Sequence, residues 1–318
     1  MAPPQGEKAS AEFNDVSTPE HCISNILFII AMQTEASPLV DKFQLAEEAD
    51  SVLFVDESSR LEHWSAHDSY IWARGPYGNL GTVRLSGSNK QSKRRFPKGV
   101  PWVRYSGKYK DLNINIVCPG KDTSLGVDCV GTVSTSLLTY ASVQALHPDL
   151  IINAGTCGGF KEKGASIGDV FLASGVAFHD RRIPIPVFDL YGVGSRQAFS
   201  TPILAKELNL KVGKLSTGDS LDMSPHDEAA ITANDATVKD MEVRQSDASV
   251  PQEGAAVAYV ADLLKVPTIF LKAVTDIVDG DKPTAEEFLQ NLAAVAVALE
   301  QAATQVVDFI NGKSYSEL

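Results

Sequence analysis

The sequence predicts one α/β domain built on a largely parallel or mixed sheet, and three observations carry that prediction. Short, continuous apolar runs recur along the chain, as expected of central strands covered on both faces. They are Asn25–Ile30, Asn113–Val117, Leu150–Asn153, Asp169–Leu172 and Thr268–Val274. Helical stretches separate them, at Val133–Leu146, at Gly254–Lys265 and in a long segment near the C-terminus. Such alternation places helices on the faces of a sheet. Finally, 318 residues can bury a sizeable core, in one large α/β domain or two small ones.

Charge and composition narrow the partners. Lys and Arg number 28 against 40 Asp and Glu, a net charge of −12 with a pI near 5.0. That balance argues against a nucleic-acid or anionic-membrane surface and for a small uncharged or cationic ligand. No stretch reaches the roughly 18 uncharged apolar residues of a membrane span, and the N-terminus lacks the apolar core of a signal peptide. The expectation is a soluble, cytoplasmic protein. Cys22, Cys118, Cys129 and Cys157 lie far apart and without metal-ligand spacing, so they read as reduced thiols with no zinc site.

Taken in order, residues 1–23 are rich in Pro, Ser, Glu and Lys and read as a flexible tail. The first strand runs into AMQTEA, which puts Glu35 at the start of a helix, with Pro38 expected in its first turn. Glu35 is either a favourable charge at a helix N-terminus or a functional carboxylate. Residues 52–95 mix aromatic, Gly, Ser and basic residues without steady helical or strand periodicity. NAGTCGG, residues 153–159, ends a buried strand in glycines that allow close backbone approach to a ligand. It lacks the Lys of a P-loop and the spacing of a dinucleotide fingerprint. His179-Asp180-Arg181-Arg182 reads as a surface turn, because no nucleophile motif accompanies it.

Lys239-Asp240-Met241-Glu242 closes another strand, and after a polar interruption Glu253-Gly254-Ala255-Ala256 opens a helix. The strand Thr268–Val274 runs straight into Thr275 and Asp276. Leaving the core there, Asp276 is either a turn or cap residue, or a partly desolvated carboxyl with a raised pKa that suits a general acid. The last helix is signposted by Thr284 with Glu287, a capping-box spacing, and by Gly312 as C-cap.

Together NILFIIAMQTEASPLVDKF, INAGTCGGFKEKGASIGDVFLASGVAFHDRRIPIPVFDLYGVG, LSTGDSLDM, ATVKDME and GAAVAYVADLLKVPTIFLKAVTDIVDGDKPTAEEFLQNL resemble the plant 5′-methylthioadenosine nucleosidases of the nucleoside phosphorylase superfamily. The resemblance covers about residues 25–51 and 96–312 and implies a single three-layer α/β domain with a central mixed sheet. It implies hydrolysis of the N-glycosidic bond of 5′-methylthioadenosine, with S-adenosylhomocysteine as a second substrate in some members. Neither metal nor cofactor is implied, and the partners are a small nucleoside and a second copy of the chain.

By resemblance Asp276 protonates adenine N7, with Thr275 orienting it, and Glu35 activates the attacking water. Met241 packs on the ribose, whose hydroxyls a Glu holds. Thr156 lines the ribose and water site, Phe188 and Leu221 flank the base or alkylthio pocket, and Phe288 closes the alkylthio end. Phosphorolysis would need a basic phosphate pocket, for which Lys272 is the one candidate. A non-catalytic homologue is the other alternative.

Two stretches depart from the family, about 52–95 and 243–253. The second makes Glu242 and Glu253 rivals for the single ribose carboxylate. It is expected to separate strand from helix, loosen the ribose clamp and impair activity, since a shift near 1 Å can cost about a hundredfold.

Overall fold

The computed structural model describes residues 22–48, 70–74, 80–84, 96–97, 99–220, 223–240, 244–245, 248–249 and 253–318. In chain order the elements are β1 (Asn25–Ile29), α1 (Gln33–Phe43), β2 (Ala46–Glu47), β3 (Tyr70–Arg74), β4 (Leu80–Arg84), β5 (Val103–Tyr109), β6 (Leu112–Cys118) and α2 (Thr132–Leu146). They continue with β7 (Leu150–Gly159), β8 (Val170–Phe178), α3 (Phe188–Val193), β9 (Arg196–Gln197), α4 (Pro202–Glu207), β10 (Lys211–Thr217) and α5 (Pro225–Ala233). The last are β11 (Val238–Lys239), β12 (Arg244–Gln245), β13 (Ala248–Ser249), α6 (Gly254–Leu264), β14 (Thr268–Ile277) and α7 (Thr284–Ile310).

The chain divides into two compact units, residues 1–48 with 96–318, and Ala49–Arg95. In the smaller unit β3 and β4 pair antiparallel, Tyr70 opposite Arg84 and Trp72 opposite Thr82. The expected lack of strand pattern in 52–95 therefore fails over these two runs. Their aromatic and β-branched residues, Tyr70, Ile71, Trp72, Thr82 and Val83, suit a paired strand once a partner is present. The rest of that stretch, and the tail 1–21, lie outside the described residues.

In the larger unit the sheet order is β11-β10-β8-β14-β7-β1-β6-β5-β2. β1 lies parallel between β6 and β7, and β14 is parallel to β7 but antiparallel to β8, so the sheet is mixed as expected. Alternate residues of each central strand serve opposite faces. Ile26 and Phe28 of β1, Ile152 of β7 and Leu271 of β14 join the core under α1 and α7. Leu27, Ile29, Ile151 and Phe270 join the core under α2 and α6. Continuous apolar runs are the signature of this double coverage, and each fully buried side chain contributes about 1.5–3 kcal/mol.

Helix α7 is long and apolar enough, with mean hydropathy 1.3 over its most apolar window, to cross a membrane, which the sequence reading did not anticipate. Half of that window is buried against the domain. Val295, Leu299, Ala303, Val306 and Ile310 pack into the core beneath the sheet. The expected Thr284–Glu287 capping box is absent, because the N-cap is Pro283 and Glu287 Oε2 instead accepts from Ile277 N–H at 3.0 Å. The C-cap falls on Asn311, with Gly312 next at φ +78°.

Candidate active site

The first carboxyl is placed by the parallel pair β1–β7. Ile29 stands beside Asn153 at the end of β1, and β7 runs on to Gly159, bringing Thr156 over the start of α1. Glu35, in the first turn of α1, is 1% exposed. Its Oε1 accepts from Thr156 N–H at 2.7 Å and from Thr156 Oγ1 at 2.8 Å. Burial pushes its pKa up to about 7, against the Thr156 hydrogen bonds and the positive charge of Lys272. A charge that merely favoured a helix N-terminus would face solvent, whereas this one bonds across to a second strand. Pro38 lies inside α1, beyond the first turn expected for it.

The second carboxyl owes its direction to a β-bulge. Val274 pairs with Cys157 and Asp276 with Gly158, leaving Thr275 as the extra residue. A bulge re-aims side chains, and here both Thr275 and Asp276 end fully buried. Thr275 Oγ1 lies 2.8 Å from Asp276 Oδ1 and 3.1 Å from the Cys157 carbonyl. Asp276 Oδ2 has no hydrogen-bond partner among the described residues. Burial raises the Asp276 pKa to about 7; the Thr275 bond lowers it, the Glu287 charge raises it and Lys239 lowers it. A turn or cap aspartate would bond backbone N–H groups. Asp276 instead stands within β14 and bonds a side-chain hydroxyl.

The described residues on either side of the interruption lie together. Asp240 Oδ2 accepts from Gly254 N–H at 2.8 Å and from Thr217 Oγ1 at 2.6 Å, and Thr217 Oγ1 in turn accepts from Ala255 N–H at 3.0 Å. A Cβ on Gly254 would approach Leu215 Cδ2 to 2.3 Å, so the start of α6 sits tight on β10. Between these anchors β12 and β13 pair antiparallel as a short hairpin. Glu253 is 2% exposed at the N-cap of α6, and its Oε1 accepts from Gly131 N–H. Burial drives its pKa well up. The expected separation of strand from helix is thus not seen at Glu253.

Asp240 Oδ1 lies 2.9 Å from Lys272 Nζ, both side chains being within 1% of full burial. Lys272→Met should destabilise the fold by about 3–5 kcal/mol in urea unfolding, because it strands a buried charge. The double variant Lys272→Met with Asp240→Asn should recover most of that loss; failure to recover would show that the pair is not what holds this region.

Of the remaining sequence candidates, Phe288 is buried against Met32. Phe188 is 55% exposed on α3 and, within one chain, lines nothing buried. Leu221, Met241 and Glu242 lie outside the described residues. His179 is not on a surface turn: it is 2% exposed with Nδ1 3.0 Å from Ser216 Oγ, and burial with the Lys239 charge lowers its pKa to about 4. Sequence reasoning missed Asp240 and Glu287. Asp240 carries no local signal and Glu287 only that of a capping residue, since the contacts of both form only when strands and helices assemble.

Comparison with known proteins now bears on this arrangement. The phosphorylase superfamily matches residues 81–308. The chain is 60% identical to 5′-methylthioadenosine nucleosidase of Arabidopsis thaliana over 93% of its own length and 91% of that protein. The chain belongs to the 5′-methylthioadenosine nucleosidase branch of the phosphorylase superfamily. It is also 56% identical to the 5′-methylthioadenosine/S-adenosylhomocysteine nucleosidase of the same plant, over 93% and 95% of the two chains. The structure of the Arabidopsis 5′-methylthioadenosine nucleosidase in apo form superposes with a TM-score of 0.75 at 59% identity, over 94% of this chain and all of that one. The futalosine hydrolase of Helicobacter pylori, 19% identical with a TM-score of 0.59 over 90% of this chain and 98% of that one, shares the fold.

Proposed function

We propose that the chain hydrolyses the N-glycosidic bond of 5′-methylthioadenosine, releasing adenine and 5-methylthioribose. The observation that carries this is a pair of buried carboxyls, both raised to about 7, one near the carboxyl end of β14 and one just past that of β1, the two strands that flank β7, where open α/β sheets gather ligands. Adenine departs readily only once N7 is protonated. Asp276 holds a proton near neutrality, and its Oδ2 is free of other hydrogen bonds among the described residues. Leaving-group departure builds an oxocarbenium ion on the ribose, which water captures. Glu35, steadied by Thr156, takes the proton from that water. Glu253 supplies the carboxyl group for the ribose hydroxyls, and Phe288 beside Met32 forms the alkylthio end.

Water outranks phosphate as nucleophile because Lys272, the one basic candidate, is buried and committed to Asp240. Adenine release should proceed unchanged without phosphate and yield a free sugar. A requirement for phosphate, with sugar 1-phosphate as product, would overturn the reading. The hairpin at 244–249 tests the ribose clamp. Deleting Val243 to Glu253 joins Glu242 to Gly254, so Glu242 takes the place of Glu253 before α6, and the rate should stay of the same order. A rise near a hundredfold, the worth of about 1 Å of misplacement, would mean that the insert does loosen the clamp.

The same reading includes a homodimer. Val133, Leu137 and Tyr140 form an exposed apolar row at helical spacing on α2, while Phe188, Leu190 and Tyr191 stand exposed on α3. Such exposed apolar clusters suit burial against a second copy. Light scattering should return twice the chain mass of 34.1 kDa. A folded, strictly monomeric chain would count against it.

A further inference from the structure

Strand register ties Asp276 to a buried lysine that has no role in the steps above. Asp276 of β14 pairs with Gly158 of β7, and Gly158 pairs on its other edge with Lys239 of β11. Lys239 in turn pairs with Ser216 of β10. Residues opposite one another in a ladder project to the same face of the sheet. Asp276, Lys239 and Ser216 therefore form one row, and the place between the first two is a glycine, with no side chain to stand between them. The pairing of β11 with β7 also closes β7, β14, β8, β10 and β11 into a ring of strands, which fixes the row at both ends.

The row lies out of solvent. Asp276 and Ser216 are fully buried, and Lys239 is 4% exposed. Beyond Ser216 stands His179, whose Nδ1 lies 3.0 Å from Ser216 Oγ. A Cβ on Gly218 would collide with His179 Nε2, so the ring is held against the backbone that follows β10. Burial, and after it the Lys239 charge, keeps that imidazole neutral down to about pH 4, so His179 adds no second cation. Beyond burial itself, the groups that bear on the Asp276 charge are Thr275 beside it, Glu287 on α7 and Lys239 on β11. The neutral thiol of Cys157 stands close by on β7. Among these groups Lys239 is the cation.

Giving up its proton turns Asp276 into a carboxylate at a fully buried position. An uncompensated anion there is costly, and a cation on the same face offsets the cost. We infer that Lys239 is a positioning residue for the proton-donating step, its ammonium set across Gly158 to balance the negative charge that Asp276 acquires. In that step the Asp276 O–H bond breaks, the N7–H bond of adenine forms, and the ammonium keeps its own protons. Lys239 acts through Asp276 and needs no contact with the nucleoside. The inference rests on the nucleosidase reading above and deepens it.

The test removes the charge in Lys239→Gln and keeps it in Lys239→Arg, with Lys239→Met as a second neutral variant. In the pH profile of kcat for 5′-methylthioadenosine, Lys239→Gln should move the alkaline limb up by about one pH unit, the scale of one nearby buried charge. Its maximal rate should fall about threefold to tenfold, because a weaker acid donates less readily. Lys239→Met should do the same, and Lys239→Arg should keep the native limb. The acidic limb, set by Glu35, should stay in place throughout. A loss of rate at every pH with both limbs unmoved would mark Lys239 as structural and overturn the inference. Carbon-13 NMR of the chain labelled at Asp carboxyl carbons reads the acid without turnover, the Asp276 resonance being the one missing from Asp276→Asn. Its titration midpoint should rise in the neutral variants and hold in Lys239→Arg. An equal midpoint in the native chain and a folded neutral variant overturns the inference whatever the rates. If the native chain does not hydrolyse 5′-methylthioadenosine, the nucleosidase reading fails, and the midpoint still decides whether Lys239 acts on Asp276.

Discussion

Asp276→Asn should slow adenine release by about two to four orders of magnitude, the range over which a positioned general acid contributes. The amide matches the carboxyl in shape, and Thr275 Oγ1 can still donate to its oxygen, so the bulge that aims residue 276 should persist. What is lost is the proton. The pH profile separates this from a structural effect. With the Asp276 pKa near 7, the protonated acid of the native chain is depleted as pH rises through 7, so activity should fall on the alkaline side. In Asp276→Asn that alkaline limb should vanish along with most of the rate. A folded variant with near-native turnover, or one that keeps the alkaline limb, would remove Asp276 from the role of acid.

Glu35→Gln should cost a similar factor, through the water instead of the leaving group, and it carries a second, opposite signature. The acidic limb of the native profile should lie near pH 7, where protonation of Glu35 removes the base. Stability should run the other way. A buried carboxyl whose folded pKa is raised from 4.5 to about 7 binds its proton more tightly in the folded state. Its contribution is fully present below pH 4.5 and is lost as pH rises through 7, an effect on the order of 3 kcal/mol. The native chain should therefore lose stability between pH 5 and 8, and Glu35→Gln should lose less while being almost inactive. Thermal unfolding across that interval checks it. A variant destabilised at every pH would mean that the Thr156 contacts, and not the ionised carboxylate, dominate at this position.

Both carboxyls were legible from their positions as candidates, each beside a plain structural alternative that the family resemblance tipped. Glu35 follows an apolar run into a helix, and Asp276 follows the most apolar run in the chain, so each had to sit where a strand leaves the core. Their hydrogen-bond partners were partly legible as well: Thr275 adjoins Asp276, and Thr156 lies in the glycine-rich end of β7. The direction of each side chain was not. Asp276 is turned by a one-residue slip between β14 and β7, a property of two strands separated by more than a hundred residues.

The segments read least well were those whose partners are distant. The pairing of Tyr70–Arg74 with Leu80–Arg84 was invisible to periodicity, because short mixed runs acquire strand character only when a neighbour satisfies their backbone. Glu287 has the spacing of a capping residue, yet it bonds Ile277 N–H, since α7 packs over the end of β14 and leaves that donor closer than its own helix start. His179 looked like part of a charged surface turn and is buried, because it follows β8 directly alongside β10, where its N–H donates to the Thr217 carbonyl and its ring meets Ser216.

The sequence by itself determined the alternation of strands and helices, the mixed-sheet class and the family, and through the family resemblance it put forward Glu35 and Asp276 as the candidate carboxyls. These depend on apolar runs and short motifs, which are local and survive in one dimension. The tertiary structure alone supplied the burial that raises those carboxyls toward neutrality, and the contact that joins the two sides of the polar interruption at 243–253. Ionisation is set by how completely water is excluded, and that is a sum over every element packed around Glu35 and Asp276. That contact depends on residues fourteen positions apart meeting in space, Gly254 N–H donating to Asp240 Oδ2 at 2.8 Å, which no local pattern records.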